Sequence, residues 1–202
     1  AARIGPALFG LLTVLAVFWV GRSVARSSNE PELCGTGAWS ALVTASMLGM
    51  MVFSRAASFD IVVTMTITWA LSFFLVHELE GEEKRRWRLL VGFYVFVGLS
   101  LLAKGLIGIV IPFGVIAMYQ LMRRATLSRW FLRSLVWGIP LACAVAATWY
   151  GPVIARHGWS FIDEFFVQHH FARYFSNKYS HPGPVYFYLL CLIPLTLPWT
   201  VL

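Results

Sequence analysis

The chain has 202 residues, with 16 Lys and Arg against 9 Asp and Glu, for a formal charge of +7. Hydrophobic residues make up 59% and charged residues 12%, where soluble globular domains carry about 45–50% and about 25%. That balance excludes an ordinary soluble domain. Long apolar runs without strand-like alternation point instead to membrane-spanning helices, which satisfy their own backbone hydrogen bonds.

Seven spans follow in chain order, at about 6–21, 38–54, 60–77, 89–103, 105–122, 134–150 and 184–202. The expected fold class is therefore all-α, a polytopic transmembrane helical bundle with a helical loop before the last span. Only Lys104-Gly105 separates the fourth span from the fifth, which makes this point a tight hairpin or a broken helix. No internal repeat is visible. The chain enters a span at its first residues and stops inside another, so residues 1–202 read as one part of a single transmembrane domain, truncated at both ends. Cys34, Cys143 and Cys191 show no metal-ligand or CxxC spacing.

The cations set the orientation. One set of loops holds Arg22, Arg26, Lys84, Arg85, Arg86, Arg88, Arg123, Arg124, Arg129 and Arg133, in blocks beside span ends. The other side holds Arg3, Arg55, Lys104, Arg156, Arg173 and Lys178. Ten against six places the first set in the cytoplasm and the stretches 55–60, around 104 and 151–183 outside, which is periplasmic in a Gram-negative inner membrane. The pI near 9.7 then reflects membrane orientation and lipid headgroups, and nucleic acid is not an expected partner.

Three outward stretches carry the polar chemistry. In Ser54-Arg55-Ala56-Ala57-Ser58-Phe59-Asp60, Arg55 and Asp60 form a local ion pair that ends two helices, or Asp60 holds a hydroxyl while Arg55 faces an anion. At Lys104-Gly105 the lysine snorkels to the interface, or the glycine lets backbone amides approach a phosphate that the lysine pairs. The third stretch is Asp163 to Tyr188, with three of the five histidines. A helix over 161–174 would put His169 and His170 one turn from Arg173. Asp163 and Glu164 suit its N-terminal dipole, and Tyr186, Tyr188 and Trp199 suit an aromatic belt. His77 and His157 read as hydrogen-bonded surface groups.

In this order the stretches resemble the protein O-mannosyltransferase-like superfamily of GT-C glycosyltransferases, and within it the bacterial branch of aminoarabinose transferases that modify lipid A. Arg55, Ala56 and Asp60 match its first loop, and Leu102, Lys104, Gly105, Gly108 and Pro112 match its Leu-x-Lys-Gly segment. Trp149-Tyr150, His169-His170-Phe171-Ala172-Arg173, His181 with Pro184 and Tyr186 or Tyr188, and Pro198-Trp199 match later elements. The likeness runs over nearly the whole chain.

The resemblance implies a GT-C type membrane domain and an inverting glycosyltransferase that takes sugar from a polyprenyl-phosphate donor. The acceptor would be a lipid or glycan, reached at the periplasmic face of the bacterial inner membrane. It implies Asp60 as a catalytic carboxylate, with the main one upstream, and Lys104, Arg173 and Arg55 as cations on the donor phosphate. His169, His181, Tyr186 and Tyr188 would bind substrate. His170 would be a ligand for a divalent metal ion, the one cofactor in question, although His169 replaces the acidic residue that precedes it in the family. A secondary transporter or flippase for an anionic or lipid-linked substrate is the competing reading, against which stand the position of the charges at one face and the lack of a repeat.

Overall fold

The computed structural model describes residues 3–28, 33, 35–56, 58–79, 83–124, 126–158 and 186–201. Eight α-helices follow one another among them: α1 Ile4–Ser28, α2 Thr36–Ser46, α3 Leu48–Phe53, α4 Asp60–Leu79, α5 Glu83–Lys104, α6 Ile107–Arg123, α7 Arg129–His157 and α8 Phe187–Leu195. A 3-10 turn at Trp199–Val201 comes last. Helices α1, α4, α5 and α7 are long and apolar enough to cross a membrane. The 29 residues of α7 extend about 43 Å at about 1.5 Å per residue, more than the roughly 30 Å of a hydrocarbon core. The all-α, polytopic expectation holds.

Two expected spans differ. The run 38–54 is not one helix: it breaks at Met47, whose φ of −62° and ψ of 133° are extended. Among the described residues of the run 184–202, the α-helix is the 9 residues of α8, after which the chain turns. The expected helix over 161–174 lies outside the described residues.

Within lipid, apolar side chains gain little by leaving the solvent for a neighbouring helix, so close packing and internal hydrogen bonds hold the bundle together. Helix α5 is central, packing on α4, α6 and α7, while α1 packs on α2 and α4. Ala70, Phe74, Leu90, Phe93, Tyr94, Val97, Ile116, Phe131 and Ala142 form the shared core. Phe131 meets Phe74 edge-on at 5.1 Å and Phe93 at 5.6 Å, a geometry that adds about 0.5–1.5 kcal/mol per pair. Tyr94 and Ser134 share a buried 2.8 Å hydrogen bond, and Ser134 donates onward to the Phe131 carbonyl.

The α5–α6 junction is the tight hairpin. Gly105 has φ 66°, a left-handed conformation that suits a residue without Cβ, and its N–H donates to the Leu101 carbonyl at 2.8 Å, closing α5 with a left-handed cap. Gly108 then lies so near Ser100 that a Cβ would sit 2.4 Å from the Ser100 carbonyl carbon. The two helices return antiparallel, with Phe93 against Phe113 at 5.6 Å.

These hairpins sort the charges. Asp60 and Lys104 share one end of the bundle, while Arg22, Arg26, Arg123 and Arg129 fall at helix ends on the other. At that second end His77 is buried, 2% exposed, with Nδ1 3.4 Å from Glu78, so it is not the surface group its interfacial position suggests.

Candidate active site

The end of the bundle that carries Asp60 and Lys104 is built from the start of α4, the end of α5 and the last turns of α7. Asp60 opens α4, where a carboxylate complements the helix dipole. Ser58 fixes it twice: its hydroxyl donates to Asp60 Oδ2 at 2.8 Å and accepts from the Asp60 N–H at 3.1 Å. Lys104 closes α5, and its Nζ donates to Asp60 Oδ1 at 2.5 Å.

Asp60 therefore pairs with Lys104, and the local Arg55–Asp60 ion pair, one of the two readings open for that loop, is not formed. The antiparallel packing of α4 and α5 brings the residue from 44 positions away to the carboxylate. Both partners of the ion pair are 48% exposed, and pairs this accessible contribute about 0–1 kcal/mol to stability. The weak energetic role leaves the ammonium open to an incoming anion. Lys104 has three N–H donors, one of which is spent on Asp60.

Tyr150 of α7 sets the height of Lys104. Its hydroxyl donates at 3.1 Å to the Leu101 carbonyl, the same oxygen that receives Gly105 N–H. One acceptor thus ties α7, the end of α5 and the turn together.

Arg55 is exposed and makes no ion pair among the described residues. It lies at the edge of a cavity of about 320 Å³ lined by Ala7, Gly10, Leu11, Val14, Met50 and Ser54, among others. The α1 residues recur at the three- and four-residue spacing of one helical face. The lining is apolar apart from Ser54 and the guanidinium. Gly10 makes room for Ser54: a Cβ there would sit 2.1 Å from the Ser54 hydroxyl oxygen. Gly10→Val is expected to push Ser54 and Arg55 outward and to lower Tm, measured by thermal unfolding of the full-length protein. An unchanged Tm would mean that α1 and the Ser54 turn are packed less closely than this contact.

Of the other residues singled out in the sequence, Tyr186 stands at the N-cap position of α8 and is 61% exposed. The Tyr188 side chain, His169, His170, Arg173 and His181 lie outside the described residues. No three His, Cys, Asp or Glu side chains converge as a metal site among the described residues. Ser58 and Tyr150 act as supporting groups that the sequence reading does not single out in that role: the first is a small polar residue two before Asp60, a recognisable hydroxyl turn signal, whereas only the packed structure shows what the second reaches.

Among the described residues the chain is all-helical, with four helices long and apolar enough to cross a membrane, which defines a class, the polytopic helical membrane proteins. The crystal structure of ArnT from Cupriavidus metallidurans in the apo state matches this chain with TM-score 0.83 at 22% identity, over 98% of this chain and 34% of that one. Residues 1–200 match the family dolichyl-phosphate-mannose-protein mannosyltransferase, and the chain belongs to that family. Among curated relatives, the undecaprenyl phosphate-alpha-4-amino-4-deoxy-L-arabinose arabinosyl transferase of Erwinia tasmaniensis is 28% identical over 204 residues, 98% of this chain and 34% of that protein. Its counterpart in Aeromonas hydrophila is 26% identical over 203 residues, 98% of this chain and 35% of that protein. The chain spans about a third of the length of the relatives it matches.

Proposed function

We propose that the chain is part of a larger glycosyltransferase domain that moves a sugar from a polyprenyl-phosphate donor to a lipid or glycan acceptor at the periplasmic face of the bacterial inner membrane. The observation that carries this reading is the Lys104–Asp60 pair, a cation and a carboxylate held together but half-exposed at one end of an apolar bundle. Membership of the mannosyltransferase family and the donor named for the relatives support it.

The chemistry follows from the charges. As the glycosidic bond breaks, the leaving lipid phosphate gains negative charge, which fixed cations stabilise most where water is scarce. Asp60 cancels Lys104 in the resting pair, so Arg55 supplies the net positive charge among these three residues. When the donor phosphate arrives, Lys104 turns one of its N–H groups toward it and Asp60 Oδ1 becomes free to accept from a sugar or acceptor hydroxyl. Arg55 offers a two-pronged fork to the same phosphate, with the first isoprene units in the apolar cavity at its side. Arg173 adds a further cation, and His169, His181, Tyr186 and Tyr188 contact the sugar or acceptor. His170 is a candidate ligand for a divalent ion.

Purified full-length protein in liposomes that contain lipid A, with radiolabelled undecaprenyl phosphate-linked aminoarabinose, tests the reading. The expected result is a labelled covalent product on lipid A. Labelled donor that crosses the bilayer with no covalent product would favour the transporter and overturn the transferase.

A further inference from the structure

The break between α2 and α3 has a cause far away in the chain. A helix start leaves its first N–H groups without intrahelical acceptors, and at Met47 the extended backbone exposes that of Leu48. The Leu197 carbonyl accepts it at 2.9 Å. One turn away, the Trp199 indole N–H donates at 2.9 Å to the Ser46 hydroxyl, which itself donates to the Leu42 carbonyl at 2.7 Å. Gly49 completes the contact, since a Cβ there would lie 3.0 Å from the Leu195 carbonyl oxygen. The segment after α8 therefore grips both sides of the break, through a backbone bond and an indole bond.

What the grip holds is the cavity wall. Ala45 precedes the break, and Met50, Met51, Ser54 and Arg55 follow it; all five line the cavity. A continuous helix would carry these residues around its axis by about 100° per position, so the break sets which of them face α1. We propose that Trp199 and Ser46 are positioning residues that fix α3, and with it Arg55, in the orientation that receives a polyprenyl phosphate. The inference rests on the transferase reading for its ligand, and adds two residues that touch neither the ligand nor the Lys104–Asp60 pair.

The test measures binding of undecaprenyl phosphate to full-length protein in nanodiscs, together with Tm and donor kinetics. Trp199→Phe keeps the ring and removes the N–H; Ser46→Ala keeps the helix and removes the acceptor. Each is expected to raise Kd and donor KM about 3–10-fold with kcat within twofold and Tm within about 2 °C, and Ser46→Thr to restore wild-type affinity. The double variant should be no weaker than Trp199→Phe alone, because both changes delete one bond. Unchanged Kd in both single variants, additive losses in the double, or a fall in Tm alone would overturn the proposal. Wild-type protein that does not bind undecaprenyl phosphate would overturn the transferase reading as well, which separates the two failures.

Discussion

Replacing Lys104 with alanine in the full-length protein is expected to lower sugar transfer about a hundred- to a thousand-fold, the loss typical of one preorganised electrostatic stabiliser. The fold should survive, because a half-exposed ion pair contributes about 0–1 kcal/mol. The partner residue behaves differently. Asp60→Asn removes the charge that competes with phosphate for Lys104 and leaves the cation in place. Donor affinity should therefore hold or rise while turnover falls by a comparable factor. Transfer from radiolabelled donor, with binding measured separately, distinguishes the two. Equal losses of affinity in both variants would show that the carboxylate serves only to hold the lysine.

The second large effect is structural. Gly108→Val would drive a branched side chain into the Ser100 peptide, where even a Cβ would stand 2.4 Å from the carbonyl carbon and 2.5 Å from its oxygen. Backbone cannot rotate aside as a flexible side chain can, so α5 and α6 must separate. Overpacking of this kind costs about 1–3 kcal/mol, sometimes more, and at about 2–4 °C per kcal/mol for a domain of this size should lower Tm by roughly 2–12 °C. Gly114→Ala on the same helix is the control, with nothing within 4 Å of the added Cβ. Thermal unfolding of both variants followed by size-exclusion fluorescence checks the contrast. Equal Tm values would mean that the hairpin is looser than this packing.

The turn at Lys104-Gly105 was legible in the sequence because a charge followed by glycine interrupts two apolar runs. Composition likewise exposed the helical membrane class, since few charges and long runs leave helices as the simple solution. The break at Met47 was hidden. No proline or charge marks it, Gly49 two residues on is one of many glycines in apolar runs, and the bond that secures the break joins Ser46 to a residue 153 positions away. Asp60 shows the same limit in another form. Nearness in sequence favours Arg55 as its partner, but the antiparallel packing of α4 on α5 delivers Lys104. His77 shows it again, because an interfacial position does not reveal which face of α4 will be covered.

In the proposed transferase Lys104 acts as a cation at a particular place, and a charge exchange separates place from pairing. The double variant Asp60→Lys/Lys104→Asp retains an ion pair across the same helix ends but moves the positive charge onto α4. Measured in the full-length protein with radiolabelled polyprenyl-phosphate sugar, it is expected to keep the wild-type Tm and to transfer sugar no faster than Lys104→Ala. Recovery of transfer to within a few-fold of wild type would rule out that role for Lys104 and leave the pair as a clasp between two helices.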